Sequence, residues 1–209
     1  MHTDYRTYYK NNIDAIDTKW HQFTEIQFQW ILARLKLKYK PDALFSVMDL
    51  GCGTGRLLSL IHETFPNAHL SGIDGTTLMV FRTQNRLPFG AQIKKNDLNT
   101  YHLKNRYDVI ISTTVLHHIN NPGAHIDMIG ECLKDDGVAY ISEFAIDTPL
   151  LKIANFWWSK TTPDHKTTWS TQQFIELLNK TSLSIKDSDN LQPNWFWQLQ
   201  IYECKKKAA

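Results

Sequence analysis

The sequence predicts a doubly wound α/β domain built on a parallel sheet, and three observations carry that prediction. Strand-like and helix-like segments alternate from residue 45 to residue 144. The centre of the chain holds runs such as Asp108-Val109-Ile110-Ile111, whose unbroken β-branched character suits a strand buried on both faces. Val47 to Gly55 reads as a strand, a tight glycine turn and the start of a helix.

Residues 13–38 read as helix, because Ile16, Trp20, Phe23, Trp30 and Ile31 recur at roughly helical spacing. Pro41-Asp42 breaks that pattern before a strand over Phe45 to Leu50. An amphipathic helix follows over Leu57 to Phe65, then a strand from His69 to Ile73 that ends at Asp74. Thr76 to Asn85 suits a helix, Ala91 to Lys94 a third strand and Tyr107 to Ser112 a fourth. Gly123 to Leu133 suits a helix and Val138 to Phe144 a fifth strand. Ala145 to Trp169, with two prolines and three tryptophans, reads as an irregular or partly helical excursion. Ser170 to Asn179 reads as a capped helix, and Leu183 to Ile185 and Trp195 to Glu203 as late strands. On that last strand Trp195 and Trp197 would share one face as packing residues.

Composition narrows the function. The 209 residues suit one domain, and a hydrophobic content of 42% can supply its core. A net charge of +2 gives no strong signal for nucleic acid. No apolar run approaches the ~18 residues of a membrane span, and the first residues lack an apolar signal core. Cys52, Cys132 and Cys204 have no metal-ligand spacing and read as reduced thiols of a cytoplasmic protein, with no metal expected. Lys205-Lys206-Lys207 reads as a solvated end.

The glycine turn is the most specific motif. In Asp49-Leu50-Gly51-Cys52-Gly53-Thr54-Gly55-Arg56 a dinucleotide fingerprint would need its third glycine at position 56, which is Arg56. A phosphate loop would need Gly-Lys-Ser/Thr, which is absent. What remains, acid-x-Gly-x-Gly-x-Gly, resembles motif I of the class I S-adenosylmethionine (SAM) methyltransferases. Asp74-Gly75, Asn96-Asp97-Leu98, and the segment Tyr107 to Ile119 with its Val115-Leu116-His117-His118 stretch resemble that family's later motifs in the right order. The resemblance covers residues 45–144 well and 170–204 more loosely, with Asp136-Gly137 where many relatives have Pro-Gly.

The resemblance implies a single methyltransferase domain over residues 1–209, Rossmann-like, with helices on both faces of a mostly parallel seven-stranded sheet and an antiparallel late strand. It divides the chain into an N-terminal helical cap (1–44), a SAM-binding core (45–144), a substrate lid (145–169) and a C-terminal helix and hairpin (170–209). SAM is the implied cofactor. Asp49, Gly51, Cys52, Gly53 and Gly55 would face it at the turn, Asp74 and Gly75 its ribose, and Asp97 and Leu98 its adenine, with Met79, Thr113 and His118 also in contact. An acid at the Asp74 position can accept both ribose hydroxyls.

The implied reaction is methyl transfer to oxygen or nitrogen of a small organic molecule. RNA or protein as acceptor, or a SAM-binding partner protein without transferase activity, are the other readings. The Asn/Asp-Pro-Pro-aromatic motif of amino-methyltransferases is absent, since Ser112-Thr113-Thr114-Val115 stands in its place. His117 is a candidate general base, or packs near the cofactor; Glu143 and His165 are the other candidates. Aromatic residues at both presumed gates, Tyr9 and Trp20 at one and Trp157, Trp158 and Trp169 at the other, would wall the substrate or fill core.

Overall fold

The structure, a computed structural model, describes residues 21–102, 106–161 and 165–207. Helix α1 (His21–Lys38) leads into β1 (Ser46–Leu50), α2 (Arg56–Thr64), β2 (His69–Asp74), α3 (Thr77–Arg86) and β3 (Gln92–Lys95). Then come β4 (Tyr107–Thr113), a 3-10 turn (Leu116–His118), α4 (Pro122–Cys132), β5 (Leu133–Ala145) and α5 (Pro149–Thr161). The chain finishes with α6 (Thr171–Asn179), β6 (Leu183–Leu191) and β7 (Gln198–Lys206).

The seven strands form one sheet in the order β3-β2-β1-β4-β5-β7-β6. β1 to β5 pair in parallel, and β7 runs antiparallel to both its neighbours. The order reverses between β1 and β4, so a crevice opens beyond the carboxyl ends of those two strands.

Successive residues of the central strands feed opposite cores. Val47, Val109, Ile111, Val138 and Tyr140 join one cluster with α1 and α2. Met48, Ile110, Ala139 and Ile141 join another with α4 and α6. Both faces are therefore apolar, which explains the unbroken hydrophobic runs. At the opposite end from the crevice, Asp108 accepts from the Ser46 backbone N–H (2.8 Å), the Ser46 hydroxyl (2.7 Å) and Lys134 (2.7 Å). That carboxylate ties the starts of β1 and β4 to the start of β5.

Four features differ from the sequence expectation. Residues 149–161 are a regular helix: Pro149 opens it, and the Thr148 hydroxyl accepts from the Leu151 N–H (3.2 Å). β6 continues to Leu191 through the polar run 186–190, because an edge strand does not need apolar alternation. β5 starts at Leu133, with a register shift opposite Tyr107 and Val109 that lets residues 134–136 bulge outward. Trp195 and Trp197 precede β7 instead of alternating on it. The Asn194 side chain accepts from the N–H groups of Phe196 and Trp197, and this turn leaves Trp195 exposed while Trp197 packs inward on Phe144 and Trp158. The part of the predicted first helix before His21 lies outside the described residues.

Helix α6 is held by a capping box between Ser170 and Gln173 and by Phe174, which is fully buried against Trp169 and Tyr202. Phe174→Ala should cost about 3–5 kcal/mol of folding stability. Urea denaturation measures this, and a loss below about 1 kcal/mol would show that α6 is not part of the cooperative core.

Candidate active site

The corner between β1 and α2 is fixed by three glycines at positive φ: Gly51 (+83°), Gly53 (+54°) and Gly55 (+76°). A Cβ on Gly51 would stand 2.3 Å from Val115 Cγ2, and one on Gly55 would stand 2.5 Å from Thr83 Cγ2. Gly53 has nothing within 4 Å of its missing Cβ, so its backbone is bare toward open space. The N–H groups of Gly51 and Cys52 both donate to the Ile73 carbonyl (2.8 and 2.9 Å), and that of Gly55 to Cys52 (2.9 Å). The Gly53 N–H donates to Asp74 Oδ2 (3.0 Å). These amides are spent inside the protein. The turn thus offers a surface without side chains rather than a row of unpaired donors.

A cavity of about 550 Å³ lies against this corner, at the open end of the sheet. Asp49, Gly51, Cys52, Gly53 and Thr54 form its floor, with Asp74, Gly75, Thr76 and Met79 beside them. Asp97, Leu98 and Asn99 come from the loop after β3, and Thr113 to Val115 and His117 to Asn120 from the segment after β4. Phe23, Gln27 and Phe28 of α1, Phe144 at the end of β5 and Trp158 of α5 supply the remaining wall.

Asp74 is oriented by two backbone donors, Gly53 to one oxygen and Thr76 to the other (3.0 and 2.8 Å). The Thr76 side chain is a third donor to this carboxylate, which leaves it acceptor capacity for a ligand hydroxyl. Asp97 shapes its loop by accepting from the backbone and side chain of Asn99 (3.0 and 3.2 Å). Asn99 in turn accepts from the Asn120 N–H (2.8 Å), which joins the β3 and β4 loops.

His117 is buried and lines the cavity, and its Nδ1 lies 2.8 Å from Glu143 Oε2. Glu143 is fully buried behind it and does not reach the cavity wall. His165 is also absent from the wall. Its ring packs on Trp158 (4.6 Å between centroids) and on His117 (5.5 Å), and its Nε2 meets the Thr168 hydroxyl (2.9 Å). Burial, with His117 alongside, lowers the His165 pKa to about 4, so the ring is neutral at physiological pH.

The expected substrate wall needs correction. Of its described tryptophans only Trp158 faces the cavity. Trp157 points outward, because on α5 the residue next to an inward one turns away. Trp169 is core, packed edge-on to Phe174 and bridged to Ala145. Gly55 lies behind the turn, against Thr83, rather than on the cavity surface. Tyr9 and Trp20 lie outside the described residues.

Sequence reasoning missed Arg56 and Gln27. Arg56, at the start of α2, donates to Glu25 (2.5 Å) and so draws α1 over the cavity. Gln27 is fully buried beside the cavity and donates to the Phe23 carbonyl, with its own carbonyl oxygen unpartnered. No local sequence pattern marks either residue. Among the described residues, no group of three or more His, Cys, Asp or Glu could hold a metal ion, and no helix is long and apolar enough to cross a membrane.

A bare glycine corner and an oriented carboxylate at the switch point of a doubly wound sheet define a nucleoside-binding α/β domain. The chain belongs to the class I SAM-dependent methyltransferase family, since the family model described as a methyltransferase domain matches residues 20–186. The chain is similar to malonyl-[acyl-carrier protein] O-methyltransferase of Bacillus cereus, with 30% identity over 119 residues, 56% of this chain and 44% of that protein. It thus spans about half the length of that group of curated relatives. It is also similar to the ubiquinone biosynthesis O-methyltransferase of Rickettsia typhi, with 23% identity over 82% of this chain and 73% of that one. Among solved structures, the fold is shared with magnesium protoporphyrin IX methyltransferase from Synechocystis PCC 6803 with bound SAH. That match has a TM-score of 0.69 and 22% identity, covering 90% of this chain and 84% of the other.

The electrostatics of the floor give a pH signature. Burial, with Asp74 close by, pushes the Asp49 pKa up to about 7, and Asp49 Oδ1 has no hydrogen-bond partner. Burial pushes Asp74 up to about 6, opposed by hydrogen bonds from Thr76 and Gly53. At these two groups the folded state holds protons that the unfolded chain releases near pH 4, so their contribution to stability falls as pH rises from about 4 through about 7. Asp49→Asn should be more stable than the parent at pH 8 by roughly 2–4 kcal/mol, and nearly equal to it at pH 4. Denaturation at several pH values tests this; parallel stability curves for the two proteins would contradict it.

Proposed function

We propose that the protein is a SAM-dependent methyltransferase whose acceptor is a small organic molecule bearing a hydroxyl or amine. The observation that carries this reading is one continuous cavity, from the glycine corner and Asp74 to His117, Phe144 and Trp158. One end has the features of a nucleoside site and the other is aromatic, with the imidazoles of His117 and His118.

The residues present fit the cofactor. Asp74 accepts the ribose hydroxyls, the side-chain-free turn at Gly51 and Gly53 admits close backbone approach, and Leu98 and Asp97 flank the adenine. A cationic ligand beside the unpartnered Asp49 oxygen would favour the ionised form of that carboxyl. When bound, SAM supplies an electrophilic methyl group on a sulfonium. The cap (1–44) and lid (145–169) serve as acceptor walls, through Phe23 and Phe28 of α1 and Trp158 of α5.

His117 holds and moves the proton. Its Nδ1–H donates to Glu143, which fixes the tautomer and leaves Nε2 as the proton acceptor for the acceptor hydroxyl. The Glu143 carboxylate orients the ring and offsets the positive charge that forms on it. Apolar walls exclude water and place the acceptor for in-line displacement.

Asp74→Ala should weaken SAM and S-adenosylhomocysteine binding by roughly 1.5–3 kcal/mol with the fold intact. Calorimetry on the folded variant decides it, and unchanged affinity would place the ribose elsewhere. His117→Ala should lower turnover about 10²–10⁴-fold with little change in SAM affinity. The acidic limb of the pH–rate profile should vanish with it. Labelled SAM screened against phenols, carboxylates and amines supplies the assay. If affinity falls instead and the limb persists, His117 shapes the cofactor pocket and is not the base.

A further inference from the structure

Helix α5 is apolar on both sides. Leu151 is buried and Trp158 turns inward onto Phe144, Trp197 and His165. On the outer side Leu150, Ile153, Phe156 and Trp157 are 54%, 59%, 58% and 65% exposed. At 100° per residue these four fall on one arc of the helix. A surface helix would normally be polar there, and among the described residues this outer face stays exposed. A second exposed ring, Trp195 (85% exposed), stacks edge-on to Phe196, which contacts Trp197 and, through it, the inner Trp158.

The charge on this helix selects the partner. Lys152 and Lys160 are its charged residues, and it carries no acid. Lys160 Nζ stands over the Phe156 ring at 5.7 Å, with its stem along the apolar arc. The nearest preceding acid, Asp147, is held by the Thr171 N–H and hydroxyl (2.7 and 2.6 Å). An isologous contact between two copies would set lysine against lysine. Aromatic and aliphatic side chains projecting from one helix face, with Lys152 beside the arc and Lys160 at its C-terminal end, match an anionic bilayer surface. At 13 residues α5 is too short to span a bilayer, so it would lie in the interface plane.

We propose that α5 is an interfacial helix that docks the protein on anionic lipid, with Leu150, Ile153, Phe156 and Trp157 inserted at headgroup depth and Lys152 and Lys160 facing lipid phosphates. The inference stands apart from the proposed methyl transfer, since none of these six residues lines the cavity. It gives the enzyme a surface on which the Trp158 wall of its cavity is carried by the docked helix.

The test is co-sedimentation of the full chain with vesicles of phosphatidylcholine alone and of equal parts phosphatidylcholine and phosphatidylglycerol. The unaltered protein should bind the anionic vesicles at least about 10-fold more tightly, and less so as salt rises. The double variant Phe156→Ser with Trp157→Ser should lose about 10-fold or more of that binding, as should Lys152→Glu with Lys160→Glu. Both variants should keep S-adenosylhomocysteine affinity and thermal stability. Failure of the folded, cofactor-competent protein to bind anionic vesicles at low salt overturns the proposal, as does binding that neither variant alters. A dimer that dissociates in the Phe156→Ser, Trp157→Ser variant, without vesicle binding, assigns the face to a second copy and also overturns it.

Discussion

Everything in the site depends on how the chain leaves β1, through a turn with no room for a side chain at Gly51 or Gly55. The amides of Gly51 and Cys52 both donate to one carbonyl, Ile73, at the end of the neighbouring strand. That pins the turn against β2 while Val115 and Thr83 close in on either side. Only a backbone at positive φ, without a Cβ, meets all of these demands. The same geometry delivers the Gly53 N–H to Asp74 and so sets the carboxylate in place. The turn and the acid are one device, and neither is positioned without the other.

The two ends of the sheet perform different work. At one end Asp108 joins the starts of three strands through Ser46 and Lys134, a contact that concerns stability. At the other, buried polar groups are left under-satisfied: Asp49 Oδ1 and the Gln27 carbonyl have no partners. An unpartnered polar atom costs on the order of 1–3 kcal/mol, and a fold retains such a cost where a ligand can offset it. The raised carboxyl pKa values on the cavity floor have the same origin. The stable end and the chemically poised end are separated by the length of a strand.

How much of this could be read beforehand follows from what each residue needs. Strands β1, β2 and β4, the glycine corner and Asp74 were legible because their requirements are local: buried β-branched runs, positive φ and an acid at a strand end. The Rossmann-like sheet with its antiparallel late strand was likewise legible in outline. β6 was cut short, because an edge strand carries no apolar alternation through 186–190. The aromatic wall of the cavity was the least legible part. Trp157, Trp158 and Trp169 look alike in sequence, yet one faces outward, one the cavity and one the core. Their fates depend on the phase of α5 and on the bridge from Trp169 to Ala145, both of which are tertiary. The Arg56–Glu25 pair that draws α1 over the site joins residues far apart in the chain and leaves no local trace.

The aromatic wall has a consequence for how such a protein diversifies. Phe23 comes from α1, Phe144 from the last turnward residues of β5, Trp158 from α5 and Trp197 from the turn before β7, and they meet edge to face. None of the four sits on β1 or β2, the strands that carry and pin the glycine corner. An inherited change in one ring can be met by its neighbours without disturbing the backbone that holds Asp74. The molecule is thus modular in shape: one half is bound by backbone stereochemistry, while the other is set by the packing of rings from separate elements.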